Sequence, residues 1–298
     1  MPTLTFAFCG DIIWSAHVDG IARRHGIGYP FQKVAPLLRQ ADHVVANMEG
    51  CISTRGTRMD KEYTFRAPTG LASALKQAGI DMVTLGNNHA KDYGAIALLD
   101  TFEHLRRAGV RWAGAGASAE EASQPIWIEE KGLRVAVVCF TAIVPKGFPA
   151  GKGTPGVANL DYVIPSLPEI HRRADVVIAV PHWGTEGIHT PSPKQKRLAR
   201  MLSEAGAHLI VGHHPHVVQG YERIGKTHVL YSVGNFVHTP RSAVAQRAAM
   251  LWAEVYPDGV RNLRVTPLWI QHGQPTLAPR EHAQVIARLV SPLPCVGR

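Results

Sequence analysis

The sequence predicts an α/β fold, in which helices pack on the faces of sheets that contain parallel strands. Three observations predict it. Short apolar or β-branched runs alternate along the chain with segments of helical periodicity, which is the pattern of repeated βαβ units. The clearest helices end at glycines, and polar residues follow the strand candidates directly. The 298 residues are 45% hydrophobic, which suffices for a large buried core and excludes a disordered chain.

The first two thirds of the chain contain the regular alternation. Strand candidates lie at residues 4–8, 43–46, 82–85, 176–180 and 209–211. The clearest helices between them lie at residues 71–78, 95–108 and 194–205. Each of these helices is followed by a glycine, which ends a helix because it adopts the left-handed conformation without a steric penalty.

After residue 217 the strand candidates follow one another closely, which is typical of antiparallel pairing. They lie at residues 226–232, 248–255 and 262–270. A final helix is expected at about residues 279–290. Residues 145–156 are rich in Pro and Gly, and we interpret them as a long functional loop rather than a linker. We therefore expect a single domain over residues 1–298, completed by the strands and helix within residues 240–298.

Composition limits the partners and the compartment. The chain carries a formal net charge of +9 and has a pI near 9.6, which favours anionic partners. Its four cysteines form no CxxC motif, so reduced thiols are expected. No secretion signal and no run of about 18 apolar residues is seen, which predicts a cytoplasmic protein without a membrane segment. The sixteen histidines stand out because imidazole is the commonest metal ligand.

Potential metal ligands follow directly after five strand candidates. They are Asp11, Glu49, Asn88 with His89, His182, and the cluster of His213, His214 and His216. In open α/β sheets the ligand site lies outside the carboxyl ends of the strands, so these side chains are expected to meet at one rim. Each has an ordinary structural explanation when taken alone, such as a turn for Asp11 or a left-handed loop for Asn88. Their recurrence at five strand ends favours a metal site.

The ligand types indicate which metals would bind. Carboxylates, a carboxamide and imidazoles without thiolate suit Mn, Zn, Fe or Co, whereas oxygens alone would suit Mg or Ca. These groups are too many for one ion. Two ions about 3.5–4 Å apart that share a carboxylate would use them all and would clamp a phosphoryl or similar group. We therefore expect two divalent transition-metal ions, which would be Mn, Zn or Fe.

Six motifs, in this order along the chain, resemble the bacterial capsule-synthesis CapA family. They are Gly10-Asp11; Asn47 with Glu49-Gly50; Asn87-Asn88-His89 with Asp92 and Gly94; His182-Trp183-Gly184 with Glu186; Gly212-His213-His214-Pro215-His216; and Ser232-Val233-Gly234-Asn235-Phe236. The resemblance extends over about residues 5–238. That family is associated with poly-γ-glutamate capsules and is similar to the calcineurin-like metallophosphoesterase superfamily.

The resemblance implies a four-layer αββα sandwich with mixed sheets and a dinuclear metal site. The implied ligands are Asp11 and His216 for one ion, Asn88, His182 and His214 for the other, and Glu49 as the bridge. The chain departs from the superfamily at two points. Asp11 is followed by Ile12 and Ile13, where the superfamily has Asp-x-His, and Glu49 stands in place of a second Asp. These departures leave open whether one ion or two would bind.

The remaining candidates concern catalysis and substrate binding. His89, directly after an implied ligand, is free to act as a general acid, with Asp92 or a backbone carbonyl orienting it. Arg66 is the candidate for gripping an anionic oxygen, because its planar guanidinium suits phosphate or carboxylate. Asn47 and His213 are further candidates for contact with the substrate, and His213 alternatively supports the metal ligands.

The sequence thus predicts a metal-dependent hydrolase, most simply a phosphoesterase, that acts on an anionic small molecule or polymer. The alternative is a non-catalytic accessory protein that binds poly-γ-glutamate or a phosphorylated precursor. A nucleic acid is the least favoured partner, because no clustered stretch of basic and aromatic residues occurs. Serine hydrolases and HExxH metalloproteases are excluded, since neither GxSxG nor HExxH is present.

Overall fold

A computed structural model of the protein describes residues 2–297. The strands are Leu4–Ile12 (β1), His43–Met48 (β2), Cys51–Ile52 (β3), Arg66–Ala67 (β4), Met82–Thr84 (β5), Arg111–Ala113 (β6), Ala115–Gly116 (β7), Ile126–Glu130 (β8), Leu133–Thr141 (β9), Gly156–Val157 (β10), Val176–His182 (β11), Leu209–Val211 (β12), Val218–Ile224 (β13), Thr227–Val233 (β14), Asn235–Val237 (β15), Arg247–Tyr256 (β16), Gly259–Gln271 (β17) and Gln274–Leu277 (β18). The helices are Ala16–His25 (α1), Ala35–Leu38 (α2), Leu71–Ala78 (α3), Gly94–Ala108 (α4), Ala119–Ala122 (α5), Leu160–Arg173 (α6), Pro193–Glu204 (α7), Ala243–Gln246 (α8) and Arg280–Leu289 (α9). Among the described residues, none of these helices has the length and apolar character needed to cross a membrane.

Most strands belong to two mixed sheets. The first has the order β18-β17-β16-β1-β2-β5-β6, and β15 also pairs with β1. Its strands β1, β2, β5 and β6 are parallel, whereas β16, β17 and β18 extend one edge in antiparallel pairing. The second has the order β13-β14-β12-β11-β9-β8, with parallel strands in the middle and an antiparallel strand at each edge. The α/β class predicted from the alternating pattern is confirmed.

Three hydrophobic cores separate four layers. One core lies between the two sheets and contains Phe6 and Phe8 of β1 together with Val135 of β9. A second core packs the other face of the first sheet against α1 to α4 and includes Leu75 and Leu98. The third packs the second sheet against α6 and α7. The order of the layers is therefore helix, sheet, sheet, helix, as the resemblance implies.

β1 shows why the central strands are apolar over most of their length. Phe6 and Phe8 belong to the core between the sheets, whereas Ala7 and Cys9 belong to the core under the helices. A strand buried on both faces needs apolar side chains at every position, because neither face is in contact with water. Polar residues therefore appear only where such strands end.

Helix ends follow the predicted glycines closely. α3 ends before Gly79 and α4 before Gly109, and both glycines are in the left-handed conformation, with φ of 101° and 71°. α7 begins with a capping box between Ser192 and Gln195, and its last residue is Glu204, one residue before the predicted end. Glycine therefore ends these helices through its freedom at positive φ.

The C-terminal region divides between the two sheets. β16 and β17 pair in antiparallel fashion, as expected. For β14 the expectation of antiparallel pairing is wrong at one edge. β14 pairs in parallel with β12 and so extends the second sheet. The final helix, α9, lies within the predicted range, and its Ile286 packs into the core between the sheets.

The predicted loop at residues 145–156 is attached to the chain segment that follows β5. Nζ of Lys91 donates hydrogen bonds to the carbonyl oxygens of Gly147 at 2.6 Å and Pro155 at 2.9 Å. Phe148 in the same loop is fully buried. A buried ammonium group that bonds two carbonyls fixes the loop, because releasing it would leave all three polar groups without partners.

Candidate metal centre

The six candidate metal ligands meet at one edge of the molecule, where strands of both sheets end. The first sheet supplies Asp11 in β1, Glu49 after β2 and Asn88 after β5, and the second supplies His182 at the end of β11 with His214 and His216 after β12. We call these six residues the ligand cluster. Four of the six are buried, the exceptions being Asn88 and His216, which are half-buried. Residues far apart in the chain are thus brought together because parallel strands end at a common edge.

Glu49 lies at the centre of the ligand cluster. Its Oε1 lies 3.7 Å from Nε2 of His182, 3.7 Å from Nε2 of His216 and 4.0 Å from Nε2 of His89. Its Oε2 accepts a hydrogen bond from Asn47, whereas Oε1 is buried and has no hydrogen-bond partner within residues 2–297. A buried carboxylate oxygen without a partner is costly. A divalent cation suits an oxygen surrounded by three imidazole nitrogens.

Asp11 is held by three neighbours. Its Oδ1 accepts hydrogen bonds from Nδ2 of Asn47 at 2.8 Å and Nδ1 of His213 at 3.0 Å, and its Oδ2 accepts one from Nδ1 of His216 at 3.0 Å. Burial alone would raise the pKa of Asp11, but the hydrogen bonds from the two histidines hold this pKa well below its usual value. Asp11 is therefore ionised at neutral pH, as a metal ligand must be.

Asn88, His182 and His214 form a compact group within the cluster. Nε2 of His182 lies 2.8 Å from Oδ1 of Asn88 and 3.1 Å from Nδ1 of His214. Donor atoms bound to one ion at about 2.1 Å lie about 3.0–3.4 Å apart, so these spacings are close to those of a ligand set. Burial lowers the pKa of His182 well below its usual value and, with the charge of His216, lowers that of His214 to about 3. Both imidazoles are therefore neutral, which is the form that binds metals.

The backbone that carries two of these histidines is strained. His214 has a φ of 98° and His216 a φ of 57°, a region that residues other than glycine rarely adopt. Such conformations cost on the order of 1–3 kcal/mol each and persist where the surrounding structure enforces them. The buried Pro215 lies between the two residues. Both imidazoles lie in the ligand cluster, in a backbone conformation that the surrounding structure must enforce.

His216 connects the two carboxylates. Burial would lower the pKa of its imidazole, but Glu49 and the hydrogen bond to Asp11 raise this pKa to about 10. Burial raises the pKa of Glu49 well above its usual value. The amide of Asn235 contacts His216 twice, since its Oδ1 lies 3.1 Å from Nδ1 and its Nδ2 donates to the backbone carbonyl at 3.0 Å. The proton of His216 thus supplies the positive charge that the two carboxylates attract, and a bound cation would displace it.

Two overlapping sets of three donors, within the described residues, are compact enough to hold an ion. One set is Asp11, Glu49 and His182, the other is Glu49, His214 and His216, and the donor atoms of each set lie within 4.8 Å of one another. Glu49 belongs to both sets, which is the bridging position that the resemblance implies. The implied grouping, with His216 beside Asp11 and His214 beside His182, also has close contacts, at 3.0 Å and 3.1 Å.

His89 and Asp92 form a buried pair beside the cluster. Nδ1 of His89 lies 2.7 Å from Oδ2 of Asp92, which also accepts a hydrogen bond from the backbone nitrogen of Phe65. Nζ of Lys61 donates to Oδ1 of Asp92 at 2.6 Å and to the carbonyl of Asn88 at 2.7 Å. Sequence analysis misses Lys61, because it lies in an irregular segment without periodicity. These contacts fix the His89 ring so that its Nε2 faces the cluster.

The three candidates for substrate contact lie in two different places. Asn47 and His213 are buried, and both bond to Asp11, so they support the cluster. Arg66 is exposed, and its guanidinium lies 4.1 Å from the centroid of the Tyr93 ring beside a surface cavity of about 380 Å³. The structure brings Asn47 and His213 into the site and places Arg66 outside the ligand cluster.

Comparison with known proteins agrees with the motifs. The family model described as "Bacterial capsule synthesis protein PGA_cap" matches residues 5–240, a range that includes the whole ligand cluster. The chain is 33% identical to "PGA biosynthesis protein CapA" of Bacillus subtilis (strain 168), over 91% of this chain and 73% of that protein. It is also 33% identical to "Capsule biosynthesis protein CapA" of Bacillus anthracis, over 91% of this chain and 69% of that protein. The crystal structure of a phosphatase from Mycoplasma pneumoniae has the same fold, with a TM-score of 0.59 at 15% identity over 90% of this chain and 94% of that one. With its motifs, fold and cluster all within the matched range, the chain belongs to the bacterial capsule synthesis protein family PGA_cap.

Proposed function

We propose that this protein is a metal-dependent hydrolase of the phosphoesterase type, with a dinuclear site that acts on an anionic substrate. The observation that carries the proposal is Oε1 of Glu49, which is buried without a hydrogen-bond partner in the described chain and lies within 4.0 Å of three imidazole nitrogens. The named activity of the structural neighbour, a phosphatase, supports the choice of reaction. The net charge of +9 favours an anionic substrate.

The ligand cluster would hold two divalent ions, with Glu49 shared between them. When bound, such ions supply Lewis acidity toward a phosphoryl group and a nucleophile at neutral pH. The protein itself orients the ligands. Nδ2 of Asn47 lies within hydrogen-bond distance of both Asp11 and Glu49, and His213 holds Asp11 from the second sheet. Loss of a supporting contact of this kind typically costs about 10–100-fold in metal affinity.

His89 is the proposed general acid. Its Nδ1 is occupied by Asp92, so its Nε2 is the atom that can deliver a proton toward the cluster. A general acid must lie within hydrogen-bond reach of the leaving group, and Nε2 lies 4.0 Å from Oε1 of Glu49, at the border of the site. Lys61 and Asp92 hold the ring in this orientation. Burial lowers the pKa of His89, and the hydrogen bond to Asp92 acts against this shift by stabilising the imidazolium, the form that carries a proton on Nε2.

A second candidate function is accessory binding of an anionic polymer without turnover. The similar Bacillus proteins are named for PGA biosynthesis and capsule biosynthesis, not for hydrolysis. The buried Ile13 also stands where an Asp-x-His motif would place an imidazole, which removes one ligand from the first ion. In this case the cluster holds poly-γ-glutamate or a phosphorylated precursor, and His89 delivers no proton.

One experiment separates the two candidates. The Mn- and Zn-loaded proteins are assayed on aryl phosphate monoesters and diesters, with metal content measured by elemental analysis. His182→Ala is expected to lose metal and activity together, whereas His89→Ala keeps the metal and loses about 10²–10⁴-fold in kcat. The control His104→Ala, on α4 and outside the cluster, is expected to match the wild type.

The outcomes are distinct. Absence of metal from the wild type, or equal metal content in the wild type and His182→Ala, would refute the metal centre. If the wild type holds metal and binds poly-γ-glutamate but hydrolyses none of the esters, the accessory function replaces the hydrolase.

A further inference from the structure

A second cavity, lined by basic and imidazole side chains, lies near the metal centre. It has a volume of about 560 Å³ and is formed by α1, the segment after β15 and the turn between β17 and β18. Its basic and imidazole side chains belong to His17, Arg24, His25, His238, Arg241 and His272. No acidic residue is among the described residues that line it. We call it the basic cavity.

The two arginines of the basic cavity carry charge that the protein does not neutralise. Other arginines pair with carboxylates, as Arg55 does with Asp100 at 2.8 Å. Arg24 and Arg241 are exposed and form no ion pair with any residue in the range 2–297. Unpaired guanidinium groups beside several imidazoles create a positive potential, which attracts anions.

The basic cavity adjoins the metal centre through β15. Asn235 in this strand pairs with Asp11 in register and contacts His216, and His238 follows the strand directly. Nδ1 of His238 is buried and lacks a hydrogen-bond partner within the described chain. Burial, and then the charge of His216, lower the pKa of His238 to about 4. The ligand cluster and the basic cavity therefore lie at the two ends of the three-residue strand β15.

The chemistry of the cavity suits an organic anion. Among the residues described, only the ligand cluster contains sets of donors that are compact enough to hold an ion. The four histidines of the cavity therefore do not form a metal site. A cavity of about 560 Å³ has the size of a site for an organic ligand and exceeds what one phosphate ion needs. The basic groups also come from three separate segments, which suits several charges spaced along a chain.

We propose that the basic cavity binds a stretch of a polycarboxylate chain whose neighbouring stretch lies in the metal centre. This inference rests on the proposed function, in which an anionic polymer is the substrate or ligand, and adds a second place where that polymer is held. The guanidinium groups of Arg24 and Arg241 bind its carboxylates, and the imidazoles donate further hydrogen bonds.

The test measures binding of a fluorescein-labelled γ-glutamate decamer to the full chain by fluorescence anisotropy, with inorganic polyphosphate as a competitor. The double variant Arg24→Gln/Arg241→Gln is expected to bind the decamer about tenfold more weakly or worse. The matched control Arg197→Gln/Arg288→Gln removes two exposed charges from α7 and α9 and is expected to change the affinity by less than about twofold. Both variants are expected to hydrolyse a small aryl phosphate at the wild-type rate.

Three results would overturn the inference. Equal weakening in both double variants would mean that net charge alone explains binding. A second such result is that His182→Ala no longer binds the decamer whereas Arg24→Gln/Arg241→Gln binds it as the wild type does. This would confine the polymer to the metal centre. The third is that Arg24→Gln/Arg241→Gln keeps the wild-type affinity for the decamer, but polyphosphate competes with the decamer less well. This would show that the cavity binds phosphate groups instead of carboxylates. A wild type inert toward all esters would refute the hydrolase alone, since decamer binding in the cavity is measured independently.

Discussion

His214 lies in the ligand cluster in a backbone conformation that lowers the stability of the fold. Its φ of 98° is strained for any side chain, whereas glycine adopts it freely. Alanine is ordinarily more stabilising than glycine, because glycine loses more conformational entropy on folding. At this position the order is expected to reverse, with His214→Gly more stable than His214→Ala by about 1 kcal/mol in urea unfolding.

The control for this comparison is Met201, an exposed residue within α7. There Met201→Gly is expected to be less stable than Met201→Ala by about 0.5–1 kcal/mol, the ordinary order in a helix. An alanine variant at His214 that equals or exceeds the glycine variant in stability would contradict the strain and its link to the site.

His208 lies outside the ligand cluster and gives stability a pH dependence. Its Nδ1 accepts a hydrogen bond from the backbone nitrogen of Val177 at 3.0 Å, and burial, with the charge of His171, lowers its pKa. Below the usual histidine pKa of 6.5, the unfolded chain binds a proton that the folded chain does not, so stability falls as the pH falls. His208→Asn keeps an acceptor without titrating. We expect the free energy of unfolding of His208→Asn to fall less steeply than that of the wild type when urea titrations are run from pH 7 to about 5. The two slopes differ by at most about 1.4 kcal/mol per pH unit, the limit for one titrating group. Parallel profiles would contradict the prediction.

Single residues could be predicted from the sequence where their chemistry coincides with a strand end. Glu49 and His182 each lie at the end of a buried strand, and the structure brings them within 3.7 Å. Lys61 could not be predicted, because it reaches Asp92 through an irregular segment that no local pattern encodes. The position of Arg66 could not be predicted, because its guanidinium chemistry does not determine where the short strand β4 places the side chain.

Among the elements, β1 and β15 approach each other too closely for a side chain at Gly10. A Cβ atom there would lie 2.0 Å from the carbonyl oxygen of Gly234. Gly10→Ala must therefore push β15 away from β1 and move Asn235 away from Asp11. We expect a loss of about 2–4 kcal/mol of stability in thermal unfolding, together with weaker metal binding.

Gly20→Ala provides the opposite case in the neighbouring element. Gly20 lies within α1, and the nearest atom to an added Cβ is 4.0 Å away. Alanine is expected to stabilise this helix by about 0.5–1 kcal/mol, because it lowers the entropy lost on folding. If Gly10→Ala proved as stable as Gly20→Ala, the close packing of β1 on β15 would be wrong.

Elements were predictable where a local signal defines them. Gly79 and Gly109 end their helices through a property of the glycine itself. β13 and β18 escape prediction, since Gly220 interrupts the first and Pro275 lies in the second, and their pairing with β14 and β17 makes them strands. The parallel pairing of β14 with β12 escapes prediction for the same reason, because it depends on a partner rather than on the strand.

For the whole molecule, the ligand cluster connects the two sheets. Asp11, Glu49 and Asn88 belong to the first sheet, whereas the three histidines belong to the second. The stacking of the two sheets is not encoded in hydrophobic periodicity, which shows only that the strands are buried. The order of the four layers follows only from the resemblance of the ordered motifs to a known family.

Metal binding is therefore expected to stabilise the entire fold. A ligand at about one hundred times its Kd adds about 2.7 kcal/mol to the free energy of unfolding. Adding Mn or Zn is expected to raise the Tm of the wild type in calorimetry, and EDTA to reverse the rise. His182→Ala is expected to show little response, whereas the control His104→Ala responds fully. An equal response in the wild type and His182→Ala would mean that the ions bind elsewhere on the protein.

Hydrogen exchange gives the most direct test of the connection between the sheets. Ligands from both sheets are expected to protect β1 and β12 together when metal binds, because opening either strand would break the same site. The reference segment is α6, which packs on the outer face of the second sheet and is expected to gain protection only through global stability. Protection gained by β12 without β1 would show that the histidines bind an ion without Asp11 and Glu49, and would remove the reason for a bridging carboxylate.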